Sequence, residues 1–219
     1  MTNAMHPRRR YNSERRREQA DQTRALVLAA AAELFVERGY QGTSITAIAD
    51  RARVSPETVY AHFGTKRSLL GELVQRAVRG DETVPVPEQK GPRAIAAATD
   101  QHEQLRIFAA DIVPRLERAA PLVTVVAGAS RSDPELAQLL TTLHTHRLQN
   151  LHALTRALAA NGPLRVGEEE AAETAWALTS PELHQLLVRL RGWSTRRYRD
   201  WLAASLAELL LPDACLGRA

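Results

Sequence analysis

Three times the chain writes the same helix-opening device: Ser55-Pro56-Glu57, Asp133-Pro134-Glu135 and Ser180-Pro181-Glu182. A Ser or Asp side chain caps the first turn, Pro suits the first helical position because its missing N–H is not needed there, and Glu favours the positive N-terminal end. The device sets where helices start, and breakers set where they stop: Gly39, the stretch from Gly80 to Pro92, and Asn161-Gly162-Pro163. Sequences between the devices do not match one another, which excludes a repeat architecture. The strand-like alternation at 83–87, Thr-Val-Pro-Val-Pro, is broken by its prolines. The chain is predicted to be all-α.

Helical spacing before Gly39 places Leu26, Ala29, Ala30, Leu34 and Phe35 on one face. A short helix follows, capped by Thr43 or Ser44, with Ile45, Ile48 and Ala49 inward. The helix opened by Ser55 comes next, and Thr65 caps a fourth that buries Leu69, Leu70, Leu73, Val74 and Ala77. Gly80, Pro85, Pro87, Gly91 and Pro92 then crowd into a stretch read as a linker. Beyond it, Asp100 and Glu103 form a capping-box pattern ahead of Leu105, Phe108, Ile112, Val113 and Leu116, and Pro121 is read as opening a shorter helix. Further helices are predicted from Asp133 to about Asn161, over 167–180, from Ser180, and over 194–211. The organisation expected is a basic N-terminal extension (1–22), a first helical domain (23–79), a Pro/Gly linker (80–92), a larger helical domain (93–211) and a C-terminal tail (212–219).

Charge separates the two parts. Residues 1–79 hold 14 Lys/Arg against 8 Asp/Glu, whereas residues 80–219 hold 15 against 17, so the excess positive charge sits in the N-terminal third and points to a polyanionic partner there. The N-terminal arginines have no apolar segment behind them and no run of 18 apolar residues occurs, so neither a signal peptide nor a membrane span is expected and the chain is read as cytoplasmic. Cys215 is the single cysteine, which leaves no disulfide framework and no thiol set for zinc.

The helix from Pro56 to Phe63 holds little to bury beyond Val59 and Phe63, and it follows another short helix after three or four residues. That is the pattern of a helix-turn-helix, in which one helix braces and the outer face of the other enters the major groove. Ser55, Pro56, Glu57 and Thr58 lie at the end that approaches base edges. Tyr60 and His62 lie further along, suited to donate to phosphate oxygens, and Lys66 adds a point charge. The arginine-rich segment ahead of the first helix reads either as an arm on DNA or as a solvated tail.

From about Arg24 to Val74 the chain resembles the N-terminal domain of TetR-family transcriptional regulators, with Phe-x-x-x-Gly-Tyr, Thr-Ser-Ile, Ile-Ala, Val-Ser, Val-Tyr-x-His-Phe and Lys-x-x-Leu-Leu in order. The resemblance implies DNA contacts from Ser44 and Thr46 at the front of the second helix, from Ser55 to Thr58, and from Tyr60, His62 and Lys66. It also implies an N-terminal three-helix helix-turn-helix domain joined to a larger helical ligand-binding and dimerisation domain, acting as a homodimer on a double-stranded DNA operator under control of a small-molecule effector. Many members have Gly where this chain has Arg53, so either Arg53 adopts a left-handed backbone or the turn differs from theirs.

In the C-terminal part, Phe108, Ile112, Leu140, Leu143, Leu151 and Trp176 offer an apolar interior with room for a small molecule. Leu183, Leu187, Leu190, Trp201, Leu202 and Leu206 carry more apolar surface than a terminal hairpin ordinarily buries, and the resemblance implies that they form a dimer interface. No metal or cofactor is expected: His144 and His146 diverge by about 200° around a helix, and His144 and His152 stand more than about 10 Å apart along it. The stretch His102-Glu103-Gln104-Leu105-Arg106 lacks the second His of a zinc-protease motif, and neither a Gly-rich phosphate loop nor a Gly-x-Ser-x-Gly elbow occurs. The expected role is a DNA-binding regulator, most simply a repressor released by an effector, and not an enzyme. An architectural DNA-binding protein and a helical small-molecule enzyme are the alternatives.

Overall fold

The computed structural model describes residues 7–80 and 84–213, with the backbone alone for residues 7–14. The described residues form helices and turns with no strand. They divide into two compact units, Met1–Leu73 and Val74–Ala219.

The first unit holds α1 (Pro7–Arg38), α2 (Ile45–Ala52), α3 (Pro56–Phe63) and the start of α4 (Lys66–Arg79). Helix α1 begins at Pro7, inside the segment read as an extension, because its run of Arg, Glu, Gln and Ala contains no breaker and favours helix on its own. Residues 1–6 of that extension lie outside the described residues. Val27, Leu28, Ala30, Ala31, Leu34 and Phe35 form the buried face of α1; of the face expected from spacing, Ala30, Leu34 and Phe35 are buried, whereas Leu26, 57% exposed, and Ala29 are at the surface. Ile48, Ala49, Val59, Phe63, Leu69 and Leu70 complete this core. Full burial of Val59 and Phe63 contributes about 1.5–3 kcal/mol each, and α3 depends on that anchorage because eight residues are too few to hold a helix alone.

The second unit takes in the end of α4, a 3-10 turn (Val86–Glu88), α5 (Lys90–Ala97), α6 (Gln101–Ser130), α7 (Pro134–Ala159), α8 (Glu168–Leu178), α9 (Pro181–His184) running into a π-helical segment (Gln185–Leu190), and α10 (Thr195–Leu210). Two expectations are corrected here. Gly91 and Pro92, read as linker, lie in the first turn of α5, where proline is tolerated. Pro121 opens no helix: α6 runs through both Pro114 and Pro121, because Val113, Leu116, Ala120, Leu122 and Val123 around them are buried and packing outweighs the lost backbone bonds. The capping devices at 55, 133 and 180 all cap, each with its Ser or Asp oxygen accepting a backbone N–H of the first turn.

The core of this unit gathers Leu105, Phe108, Val113, Leu151, Leu158, Ala172, Ala175, Tyr198, Leu202, Leu206 and Leu210 from α6, α7, α8 and α10. Buried Gln104 ties three helices together by donating to the carbonyls of Ile95 at 3.0 Å and Ala157 at 3.1 Å. The last carbonyls of α4 are satisfied by side chains of α6, with Arg115 donating to Val78 at 2.9 Å and Arg118 to Ala77 at 3.0 Å.

Candidate nucleic-acid interface and effector cavity

The outer face of α3 is built by a cap, a turn and a clamp. Ser55 accepts the N–H of Thr58 at 3.3 Å, and the Ser55 and Thr58 hydroxyls lie 3.2 Å apart. The Ser55 hydroxyl, with the backbone N–H of Glu57 itself, holds the Glu57 carboxyl below its ordinary range, so this exposed residue is an acceptor at the helix front. Tyr60 is 53% exposed, one face of the helix away from buried Val59 and Phe63, so its ring is not part of the bundle core. His62 is half-buried, its ring tilted against Phe63. Arg24 of α1 clamps the other end of the helix: it donates to the His62 carbonyl at 3.2 Å, stacks 4.7 Å from the Phe63 ring centre and pairs with Glu72.

Ser44 caps α2 by accepting the Ala47 N–H at 3.0 Å, and Thr46 is exposed on the first turn beside it. Thr43, offered as an alternative cap, is instead buried and donates to the carbonyls of Leu34 at 3.0 Å and Gly39 at 2.8 Å. Lys66 departs further from its sequence reading. Its ammonium donates to the carbonyls of Tyr40 and Thr43, both at 2.9 Å, and sits 4.1 Å from the Tyr40 ring centre, so it holds the α1–α2 turn and not an outward-facing position. Sequence reasoning missed the roles of Arg24 and Tyr40 and offered Thr43 only as a cap; for Tyr40 and Thr43 the signal was the Gly-Tyr-x-Gly-Thr-Ser run itself, which pairs a turn with an aromatic anchor.

The second unit holds a partly open cavity of about 450 Å3. Four of the six expected lining residues, Phe108, Ile112, Leu143 and Leu151, are in its wall; Leu140 and Trp176 are not. Trp176 is covered by Arg147, whose guanidinium lies 4.3 Å from its ring centre, and by His144 at 5.5 Å. Val78 and Arg79 from the last turn of α4 also belong to the wall.

The expected dimer residues split into two sets. Leu202 and Leu206 are fully buried within their own unit, because α10 spends its Tyr198, Leu202, Leu206 and Leu210 stripe on the local core. Leu183, Leu187 and Trp201 are half-buried. Leu190 is 75% exposed, joined by Leu186 at 51% and Leu209 at 46%.

Residues 27–73 match the family model for bacterial regulatory proteins of the tetR family. A helix-turn-helix-type transcriptional repressor from Mycobacterium tuberculosis is 32% identical over 137 residues, covering 59% of this chain and 71% of that protein. The chain belongs to the TetR family. A second relative, the helix-turn-helix-type transcriptional activator FasR from Mycolicibacterium smegmatis, is 40% identical over 86 residues, 39% of this chain and 36% of that protein, so the match spans little more than a third of its length. A transcriptional regulator from Saccharomonospora viridis, solved in complex with choline, shares the fold with a TM-score of 0.68 at 22% identity, over 88% of this chain and 99% of that one. This TetR-family chain is thus a helix-turn-helix transcriptional regulator. No helix among its described residues is long and apolar enough to cross a membrane.

Proposed function

We propose that the chain is a homodimeric repressor that reads a pseudo-palindromic operator with α3 and leaves it when a small molecule enters the cavity of the second unit. The observation that carries the DNA reading is α3 itself: it buries only Val59 and Phe63 and presents Ser55, Glu57 and Tyr60 outward. Pro56 and Thr58 join the front of the helix toward base edges, Ser44 and Thr46 approach from α2, and Tyr60 and His62 donate to phosphate oxygens. Two subunits reach successive major grooves about 34–36 Å apart, or a multiple of that.

Effector control is supported by α4, which starts at Lys66 beside the helix-turn-helix and ends at Val78 and Arg79 in the cavity wall. A ligand acts through such a helix only by binding one of its arrangements more tightly than the other.

Selection of bound DNA from a random library tests the reading. A two-fold-related consensus, bound more than about 10³-fold tighter than random DNA, is expected; a smaller ratio assigns the chain to the architectural class. Replacing Tyr60 with Phe and His62 with Ala together weakens operator binding while the dimer stays folded. Undiminished affinity removes both residues from the interface.

A further inference from the structure

Arg115 and Arg147 both belong to the cavity wall, and only Arg115 has an acid on its side-on guanidinium edge; the corresponding edge of Arg147 is covered in this arrangement and meets a ligand in the cavity once the side chain turns toward it. Arg115 holds Asp111 side-on, with Nε donating to Oδ2 at 3.0 Å and Nη2 to Oδ1 at 2.9 Å. Arg147 is oriented by its third nitrogen: Nη1 donates to the Trp176 carbonyl at 2.6 Å and the Thr179 hydroxyl at 3.3 Å, while the plane stacks on Trp176. Its Nε and Nη2 are buried and have no acceptor among the described residues. That pair forms the fork that matches a carboxylate in bidentate fashion. Burial pushes the Arg147 pKa down to about 10, which still leaves it charged at neutral pH.

The rest of the wall narrows the ligand further. Its acidic side chain, Asp111, is already engaged by Arg115, and Arg79 adds a further positive charge. His144 is held toward its neutral form, first by burial and then by Arg147. Glu182 lies outside the wall, although its charge acts on Arg147 and His144; within the wall a cation meets the arginines with no free acid to receive it, and an apolar molecule leaves the fork unpaired. Ile95, Phe108, Ile112, Leu116 and Leu151 supply apolar surface for the remainder of the ligand.

We propose that this cavity binds a small organic carboxylate, its two oxygens on Nε and Nη2 of Arg147 and its apolar body against Phe108, Ile112 and Leu151. The inference rests on the reading of the cavity as the effector site, and it names the effector's chemical class.

Calorimetric titration of the full chain with 2-naphthoate and its neutral isostere 2-naphthamide tests it without DNA. The acid binds at least about tenfold tighter than the amide in the native protein. In Arg147→Met the preference vanishes while amide binding and helical content persist; in Arg147→Lys, which keeps the charge and loses the fork, it is intermediate. Equal binding of acid and amide, a preference that survives in Arg147→Met, or no binding of either below about 1 mM overturns the proposal. Operator release is measured separately by adding 2-naphthoate to the DNA complex. Binding through Arg147 without release leaves the carboxylate site standing and removes effector control.

Discussion

Lys66 and Tyr40 meet twice, the ammonium donating to the Tyr40 carbonyl at 2.9 Å and lying 4.1 Å from the centre of its ring. The same ammonium reaches Thr43, the residue before the cap of α2, so a single side chain at the start of α4 positions the whole α1–α2 turn. This contact makes Lys66 a brace for Ser44 and Thr46, the α2 residues proposed to face DNA.

Lys66→Met is accordingly expected to lower unfolding stability by about 2 kcal/mol, the scale of charge-assisted hydrogen bonds, and to weaken operator binding as a consequence. Denaturant melts and salt-dependent binding separate the two roles. A direct phosphate contact instead leaves stability intact and reduces the log–log salt slope by about 0.9.

Arg53 adopts φ 56° and ψ 45°, left-handed values that no other non-glycine residue among the described ones takes on. Its N–H donates to Asp50 at 3.2 Å and the following Val54 N–H donates to Ala49 at 3.0 Å, the paired bonds of a Schellman motif. The left-handed backbone costs an L-residue about 1–2 kcal/mol, of which glycine returns about 0.5–1 as unfolded-state entropy. Arg53→Gly should therefore raise stability by about 0.5 kcal/mol, and Arg53→Ala should bring no gain. A stabilising alanine in urea melts contradicts the backbone argument.

Leu190 and Leu202 are expected to fail in different ways. Leu190→Glu leaves a folded chain that sediments as a monomer and loses operator affinity, because the side chain is 75% exposed in its own subunit. Leu202→Ala, fully buried, costs about 2–5 kcal/mol of stability. Analytical ultracentrifugation with thermal melts checks both, and a dimeric Leu190→Glu moves the interface elsewhere.

His184 is buried edge-on to Tyr198 with neither ring nitrogen hydrogen-bonded among the described residues; burial lowers its pKa, Glu117 opposes that shift and Arg189 adds to it. The unfolded chain therefore binds this proton first. The stabilisation is complete above the unfolded pKa of about 6.5 and is lost as pH falls from there toward the folded value. His184→Phe keeps the edge contact and removes two unsatisfied nitrogens, so stability rises by about 1 kcal/mol and becomes less dependent on pH between 5 and 7. Melts across that range decide it; an unchanged pH slope excludes His184 as the source.

Helix α3 was legible because its device is local: cap, proline and acid act within one turn, and the scarcity of buried positions is visible residue by residue. The exposure of Leu26 and Ala29 on α1 was not, since alanine fits either side of a helix and spacing alone leaves Leu26 and Val27 equivalent. Pro121 misled because its local cost is real and only the buried neighbours of α6 override it. Leu140 and Trp176 failed for a similar reason: apolar type predicts burial but not which empty space a side chain borders.

The sequence by itself determined the all-helical class, the starts of α3, α7 and α9, the helix-turn-helix and the anomaly at Arg53, because capping, turn chemistry and charge act over a few bonds. Only the tertiary structure decided that Lys66 braces a turn, that Leu202 is core while Leu190 is surface, and that the guanidinium fork of Arg147 lies unpaired in a cavity wall. Those outcomes depend on which residues, tens of positions apart, come within hydrogen-bonding distance, and no local pattern encodes that proximity.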